Sequence, residues 1–307
     1  MKLDELINFF KKDKGSTKKM EAARTFSNYK KGIDNTNSNY VFYDLYKEKV
    51  FSSSMYGRGL NNQHNRIARG RRGLESREEC DIYTALYGGK HFYKLLSACK
   101  TSKINFRSNK IEIIDYACGQ GYATFIFLEN LAKENRLSEI KEIQIRFIDI
   151  SPIVIDVAID QIKILKEHYS CFKKIKIKII KKAMDINSIE SYQLRNSDQN
   201  SSKIHLFSNI LDIIGINKEA IARHIISNYS GYNYFICVSP SYPSAETGMD
   251  KFSNVFLRSY NNEYNEVRSI DRNSNVLLEG KEYNFYQGRW IKGIIKRAEK
   301  QFYINNL

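Results

Sequence analysis

The chain has 307 residues, 42% of them hydrophobic, and its 49 Lys and Arg against 34 Asp and Glu give a formal charge of +15. This length and apolar content suffice for a full core and exclude a wholly disordered polymer. Five cysteines at 80, 99, 118, 171 and 237, odd in number and without CxxC spacing, argue against a disulfide framework and are expected as free thiols of a reducing compartment.

The first residues, MKLDELINFFKKDKG, carry acids and no sustained apolar run, so no signal peptide is expected. No stretch is apolar enough to span a bilayer, and a cytoplasmic protein with no membrane partner is the expectation. Apolar residues at 3, 6, 7 and 10 predict a short helix over Leu3–Phe10, the first of several helices with polar breaks up to about residue 50. Residues 51–75 place Gly57, Gly59, Gly70 and Gly73 among Arg58, Arg66, Arg69, Arg71 and Arg72, which reads as a basic loop. From Glu78 to Cys99 the pattern is helical around a break at Gly88-Gly89. Residues 1–110 hold 23 basic against 11 acidic side chains, and the remainder 26 against 23. That asymmetry points to a polyanionic partner for the N-terminal third, unless lysine-rich usage is simply a habit of the genome.

Beyond residue 105 apolar runs alternate with helical ones, the pattern of a mostly parallel sheet covered by helices on both faces. Strands are predicted at Ile111–Asp115, Ile143–Asp149, Ile175–Ile180, Ile204–Ser208 and Tyr234–Val238. Helices are predicted at Tyr122–Glu134, Ile153–Tyr169 and Lys218–Tyr229, and a polar loop with room for one helical turn at Asn187–Ser202. After Pro243 the periodicity weakens, and Val276–Tyr286 with Ile291–Tyr303 supply the two last strands. The division expected is a basic, mainly helical N-terminal region, 1–105, followed by an α/β domain, 106–307.

Two segments carry the chemistry. In Ile111–Tyr122, IEIIDYACGQGY, an apolar strand ends on Asp115 and breaks into a turn with Ala117, Gly119 and Gly121. In Arg146–Ala158, RFIDISPIVIDVA, a second strand ends on Asp149, and Ile150, Ser151 and Pro152 open a helix that holds Ala158. The ordered pair resembles the first two motifs of the class I S-adenosylmethionine-dependent methyltransferases, over roughly residues 110–240, with Ala117 replacing the usual first glycine. The resemblance implies a Rossmann-like sheet with a C-terminal antiparallel hairpin, and S-adenosylmethionine as cofactor.

The resemblance also implies roles. Gly119 and Gly121 would give the cofactor close backbone approach, Asp115 would lie beside its amino-acid end, and Asp149 would accept from the ribose hydroxyls. Met184 and Asp185, after the third strand, stand where the family holds adenine, although Asp185 is equally readable as a loop carboxylate or helix cap. Ser208-Asn209 ends the fourth strand near the transferring methyl, so Asn209 is a candidate for cofactor and substrate alike. Ser239-Pro240-Ser241-Tyr242 partly resembles an amine-binding motif one strand too late, and the plainer reading of Tyr242 is the loop leaving the fifth strand.

A dinucleotide fold is the nearest rival, but Gly119, Gly121 and Thr124 give GxGxxT rather than GxGxxG. No proline precedes a cysteine, which disfavours covalent cytosine methylation. The histidines at 64, 91, 168, 205 and 224 lack metal-ligand spacing, so no metal is expected, and His91 and His205 read as structural. The function expected is methyl transfer to nucleic acid, RNA rather than DNA, by direct displacement. Arg58, Arg66, Arg69, Arg71 and Arg72 would grip the phosphates. A protein or small-molecule acceptor, and a non-catalytic module of the same fold, are the alternatives.

Overall fold

The computed structural model describes residues 40–55, 63–67, 70, 72–192, 198–271, 283–286, 289–292 and 296–306. The helix expected at Leu3–Phe10, and Arg58, Arg69 and Arg71, lie outside the described residues. Two compact units are present: one from Met1–Arg72, Glu78–Lys90 and Gly280–Gly293, the other from Gly73–Arg77, His91–Glu279 and Ile294–Leu307.

In the first unit, helix α1 (Val41–Met55) buries Phe42, Tyr43, Tyr46 and Val50. Helix α2 (Arg77–Thr101) contributes Glu78–Lys90 to this unit and is unbroken through Gly88-Gly89, where a break was expected. The reason is packing. A Cβ on Gly88 would stand 2.9 Å from Cδ2 of Tyr46, and one on Gly89 would stand 2.9 Å from its Cζ. The glycines let a buried aromatic ring lie against the helix backbone, and the helix accepts their lower propensity.

The second unit is built on a sheet of order β3-β2-β1-β4-β5-β9-β6. Strands β1 (Lys110–Tyr116), β2 (Glu142–Asp149), β3 (Lys176–Ala183), β4 (Ser202–Ser208) and β5 (Gly231–Pro240) are parallel neighbours. The central ones are buried almost throughout because helices cover both faces, which is why apolar residues dominate them. Helices α3 (Tyr122–Lys133) and α4 (Pro152–His168) pack on each other, as do α5 (Lys218–Asn228) and α6 (Pro243–Ser259). Along α4 the buried Val154, Ile155, Ala158, Ile162 and Leu165 follow helical spacing, and Pro152 at the first turn starts it.

The last strands differ from expectation. The pair that completes the sheet is β6 (Asn265–Ile270) with β9 (Arg297–Asn306), and β9 runs antiparallel to both β5 and β6. Residues 283–286 and 289–292 form a separate hairpin, β7 (Tyr283–Tyr286) and β8 (Arg289–Lys292), belonging to the first unit. Strand β6, NEVRSI, is an exposed edge, so it lacks the apolar signature that reveals the inner strands. The segment Asn187–Ser202, read as a loop, opens inside a 3-10 turn at Ile186–Ser191 and ends where β4 begins.

Cross-strand rings fasten the middle of the sheet. Tyr116 of β1 stacks on Phe207 of β4 at 4.5 Å, and Phe235 of β5 stacks on Phe302 of β9 at 4.4 Å, with Phe252 and Phe256 of α6 closing over them. Between them His205 is wedged, bonded to the Tyr116 hydroxyl and to Asn233, and burial pushes its imidazole down to about 3, so it is a neutral structural residue as expected.

The close contact at Gly88-Gly89 has a measurable sign. On an exposed helix, replacing both glycines with alanine would stabilise by about 2 kcal/mol. Against Tyr46 the added methyls overpack, at about 1–3 kcal/mol for each clash. The Gly88→Ala, Gly89→Ala protein should therefore unfold at a lower denaturant concentration than wild type, and a raised midpoint would contradict the Tyr46 contact.

Candidate functional site

The turn after β1 is held by its neighbour strand. Cys118 N–H donates to the carbonyl of Ile148 at 2.9 Å, Gly121 N–H to Cys118 O at 2.8 Å, and Phe125 N–H to Gly121 O at 2.9 Å. Three of its residues are left-handed: Ala117 at φ 49°, Gly119 at φ 51° and Gly121 at φ 72°. For an alanine that conformation costs about 1–2 kcal/mol, so Ala117 is a strained point of the turn.

The two glycines serve different ends. A Cβ on Gly121 would stand 2.7 Å from Cβ of Ala158 and 3.1 Å from Cε1 of Phe147, so Gly121 lets α4 pack against the turn. Ala158 is the other half of that contact, which gives a physical reason for a small residue at this point of the second motif. A Cβ on Gly119 would meet nothing within 4 Å, so the face of the turn at Gly119 is open to close approach.

Two carboxylates flank the turn. Asp115 is buried, and its Oδ2 accepts from Thr124 N–H at 3.3 Å and from Thr124 Oγ1–H at 2.7 Å. The residue that breaks the dinucleotide fingerprint is therefore the one that anchors Asp115. Oδ1 of Asp115 is buried with no hydrogen-bond partner. Burial, against the opposing Thr124 bonds and with help from Asp149, pushes the Asp115 carboxyl up to about 7.

Asp149, at the end of β2, accepts from Gly119 N–H through Oδ2 at 2.8 Å and from Ser151 N–H through Oδ1 at 3.0 Å. Burial also raises its carboxyl above the usual range, opposed by these backbone donors. A carboxylate offers about four lone-pair sites, so the grip on the turn leaves acceptor capacity for hydroxyls. Asp149 thus shapes the turn and opens the next helix with the same group.

The other residues singled out from the sequence fall as follows. Ile150 is 61% exposed beside Asp149. Met184 N–H donates to Asp149 O at 2.8 Å, which brings the end of β3 to the end of β2, and its side chain packs on the core. Asp185 accepts from Asn187 N–H at 2.9 Å and caps the 3-10 turn, the local role open to it from the sequence. Tyr242 is exposed at the start of α6, in the turn leaving β5.

Asn209 follows β4 in a left-handed conformation, φ 56°, its N–H donating to Val238 O at 2.8 Å. Its side chain engages Lys94 and His91 of α2, two residues that the sequence reading left out of the site. In the first unit, Arg66 pairs with Glu78 at 2.8 Å and Arg72 with Glu79 at 2.7 Å, so both guanidinium groups engage carboxylates of α2. Among the described residues no group of three or more His, Cys, Asp and Glu could hold a metal ion, and no helix is long and apolar enough to cross a membrane.

A parallel sheet whose first two strands end on carboxylates around a glycine turn defines a Rossmann-like α/β domain, completed by one antiparallel strand. Solved structures with a similar chain path include a TehB-like S-adenosylmethionine-dependent methyltransferase from Corynebacterium glutamicum, at 12% identity over 82% of this chain and 97% of that one, with a TM-score of 0.34. Others are an O-methyltransferase family protein from Burkholderia thailandensis, at 11% identity, 84% and 71% coverage and a TM-score of 0.45, and the N-methyltransferase NodS from Bradyrhizobium japonicum with S-adenosyl-L-homocysteine, at 13%, 69% and 85% and a TM-score of 0.36. Likeness at this level carries no argument about substrate or activity. No family model and no curated protein matches the chain.

The Gly121–Ala158 contact predicts a specific coupling. Gly121→Ala should destabilise by about 2–4 kcal/mol, combining left-handed strain with overpacking. Adding Ala158→Gly should recover the overpacking part, so that in denaturant titrations the double variant is more stable than the sum of the single losses by about 1 kcal/mol or more. Strict additivity would place the two residues out of contact.

Proposed function

We propose that this chain is an S-adenosylmethionine-dependent methyltransferase. The observation that carries the reading is the pair of strand-end carboxylates on one glycine turn. The buried, partnerless Oδ1 of Asp115 suits an ammonium group, Asp149 retains acceptor capacity for a ribose diol, and Gly119 leaves room for both. The exposed side chain of Ile150 supplies apolar surface for a flat ring beside the diol, with Met184 following at the end of β3. The cofactor, when bound, supplies an electrophilic methyl group. What the chain supplies is orientation and exclusion of water, which suffice for direct displacement without a dedicated acid or base. The fit to a pyrophosphate is poor, since two carboxylates border the turn.

For the acceptor, the reading we favour is nucleic acid, RNA rather than DNA, supported by the excess of basic residues in the N-terminal third. Arg66 and Arg72 would reach phosphate only by sharing or exchanging their carboxylate partners. Labelled cofactor incubated with the protein and cell fractions, with and without nuclease, identifies the acceptor class. Label that survives nuclease on protein or small molecules would set the nucleic-acid reading aside.

Calorimetry tests the cofactor reading. S-adenosylmethionine should bind the wild-type protein, and Asp149→Ala should weaken binding by about 100-fold, the combined loss of diol acceptors and of the grip on Gly119. The pH dependence has a definite sign. Below about 7 the Asp115 carboxyl is protonated and offers an ammonium no charge. Affinity should therefore fall as pH drops through that value, with proton release on binding near neutrality, and Asp115→Asn should flatten the profile. A wild-type protein that binds no S-adenosylmethionine at any pH would end the proposal.

A further inference from the structure

The start of β9 holds a buried cation that the roles above do not use. Arg297, Glu299 and Gln301 alternate along the strand, so they face one side of the sheet, and they are only 3%, 1% and 0% exposed. Nε–H of Arg297 donates to Oε2 of Glu299, while Nε2–H of Gln301 donates to Oε1 at 2.7 Å and to the Ala98 carbonyl of α2 at 2.9 Å. Arg268 of β6 stands 3.4 Å from the same Oε1, an ion-pair distance without a hydrogen bond, since its Nε has no partner. Nη1 and Nη2 of Arg297 are buried and have no hydrogen-bond partner among the described residues.

A guanidinium cannot shed its proton, so burial leaves Arg297 charged. Glu299 is the carboxylate it meets among the described residues, and Arg268 shares it, so the three groups together carry a net positive charge. Lys300 does not alter that sum. It turns to the opposite face, where Asp250 at 2.6 Å and Glu266 at 3.6 Å take it up. Buried N–H donors of a cation are costly unless an acceptor meets them. What Arg297 leaves open is the end of its fork, two parallel N–H donors, the geometry that the paired oxygens of carboxylate and phosphate fit.

Arg297 is the first residue of β9 and pairs with Pro240, the last residue of β5. The parallel strands β1, β2, β4 and β5 all end at this edge, the one at which such sheets take ligands, and Lys296 beside it is exposed. Three strand spacings, β1 to β4, β4 to β5 and β5 to β9, separate it from β1, about 14 Å at the usual spacing. Its Nε stays on Glu299 of the same strand, so the guanidinium remains over β9. A carboxylate sharing a carbon with an ammonium beside Asp115 cannot span that gap, and the anion therefore belongs to a second molecule. We infer that Arg297 is a specificity-determining residue for the methyl acceptor, binding a phosphate or carboxylate group that the acceptor carries. The inference rests on the methyl-transfer reading above.

Thermal unfolding of the full chain in inorganic phosphate, acetate or chloride at matched ionic strength tests the site. An anion bound to the folded protein raises Tm in a saturable way. Phosphate also stabilises proteins generally by exclusion from their surface, so the readout is the difference between wild type and Arg297→Met. Wild type should gain more than the variant in phosphate or in acetate. A larger gain in phosphate supports a phosphate-bearing acceptor such as a nucleic acid, and a larger gain in acetate a carboxylate-bearing one. Arg297→Lys keeps the charge without the fork and should weaken the anion by about tenfold, which carries the test if Arg297→Met misfolds. In the labelled-cofactor incubation, Arg297→Lys should transfer less label by about tenfold at limiting acceptor, with its calorimetric affinity for S-adenosylmethionine within about threefold of wild type. Equal gains in wild type and both variants would overturn the assignment and leave the cofactor reading intact. A wild type that binds no S-adenosylmethionine would remove the acceptor role together with that reading, even with the anion effect lost in Arg297→Met.

Discussion

The site depends on one close approach, in which the turn leaving β1 is drawn onto the end of β2. Cys118 bonds to Ile148, Gly119 to the side chain of Asp149, and Gly121 lies where any Cβ would strike Ala158 and Phe147. Remove that approach and the rest loses its geometry. Asp115 and Asp149 come from strands 34 residues apart in the chain, and only this junction makes them neighbours of a common surface. The positive φ at Ala117 follows from the same demand, since the chain must reverse within five residues to start α3 against α4. A strained alanine persists where its surroundings over-determine the backbone.

How far the sequence could be read follows from the same physics. Strands buried on both faces have to be apolar throughout, so β1, β2, β4 and β5 were legible within a few residues, and the carboxylates ending β1 and β2 stood out against them. Strand β6 is an exposed edge, and α6 buries Ala245, Gly248 and Ser253 alongside Met249, Phe252 and Phe256. Small and hydroxyl residues in a buried stripe blur its period, and so the helix after Pro243 was lost. Residues 276–286 carry the more apolar pattern, but it is Asn265–Ile270 that pairs with β9.

The polar residues were harder for another reason. Asp149 could be named because its signal is local, a carboxylate followed by Ser151 and Pro152. His91 and Lys94 carry no such signal, because their meaning lies in Asn209, 118 and 115 positions away. A Gly-Gly pair read as a helix break hid the one clue available, that the two share a face of an unbroken helix. Asp185 carries the local role that was open to it beside the adenine one. Its Oδ1 accepts from Asn187 N–H, a short-range cap that any aspartate before a helical turn can make.

Charge decides between ligands that the fold alone would admit. Asp115 and Asp149 are both raised by burial, and the charge of Asp149 raises Asp115 further. An anionic phosphate placed on Gly119 would add a third negative group beside these two carboxyls. In the proposed reading a cationic nucleotide reverses the sign, its ammonium relieving the partnerless Oδ1 of Asp115. That polarity, more than the glycines, favours a cationic ligand over a pyrophosphate at this turn.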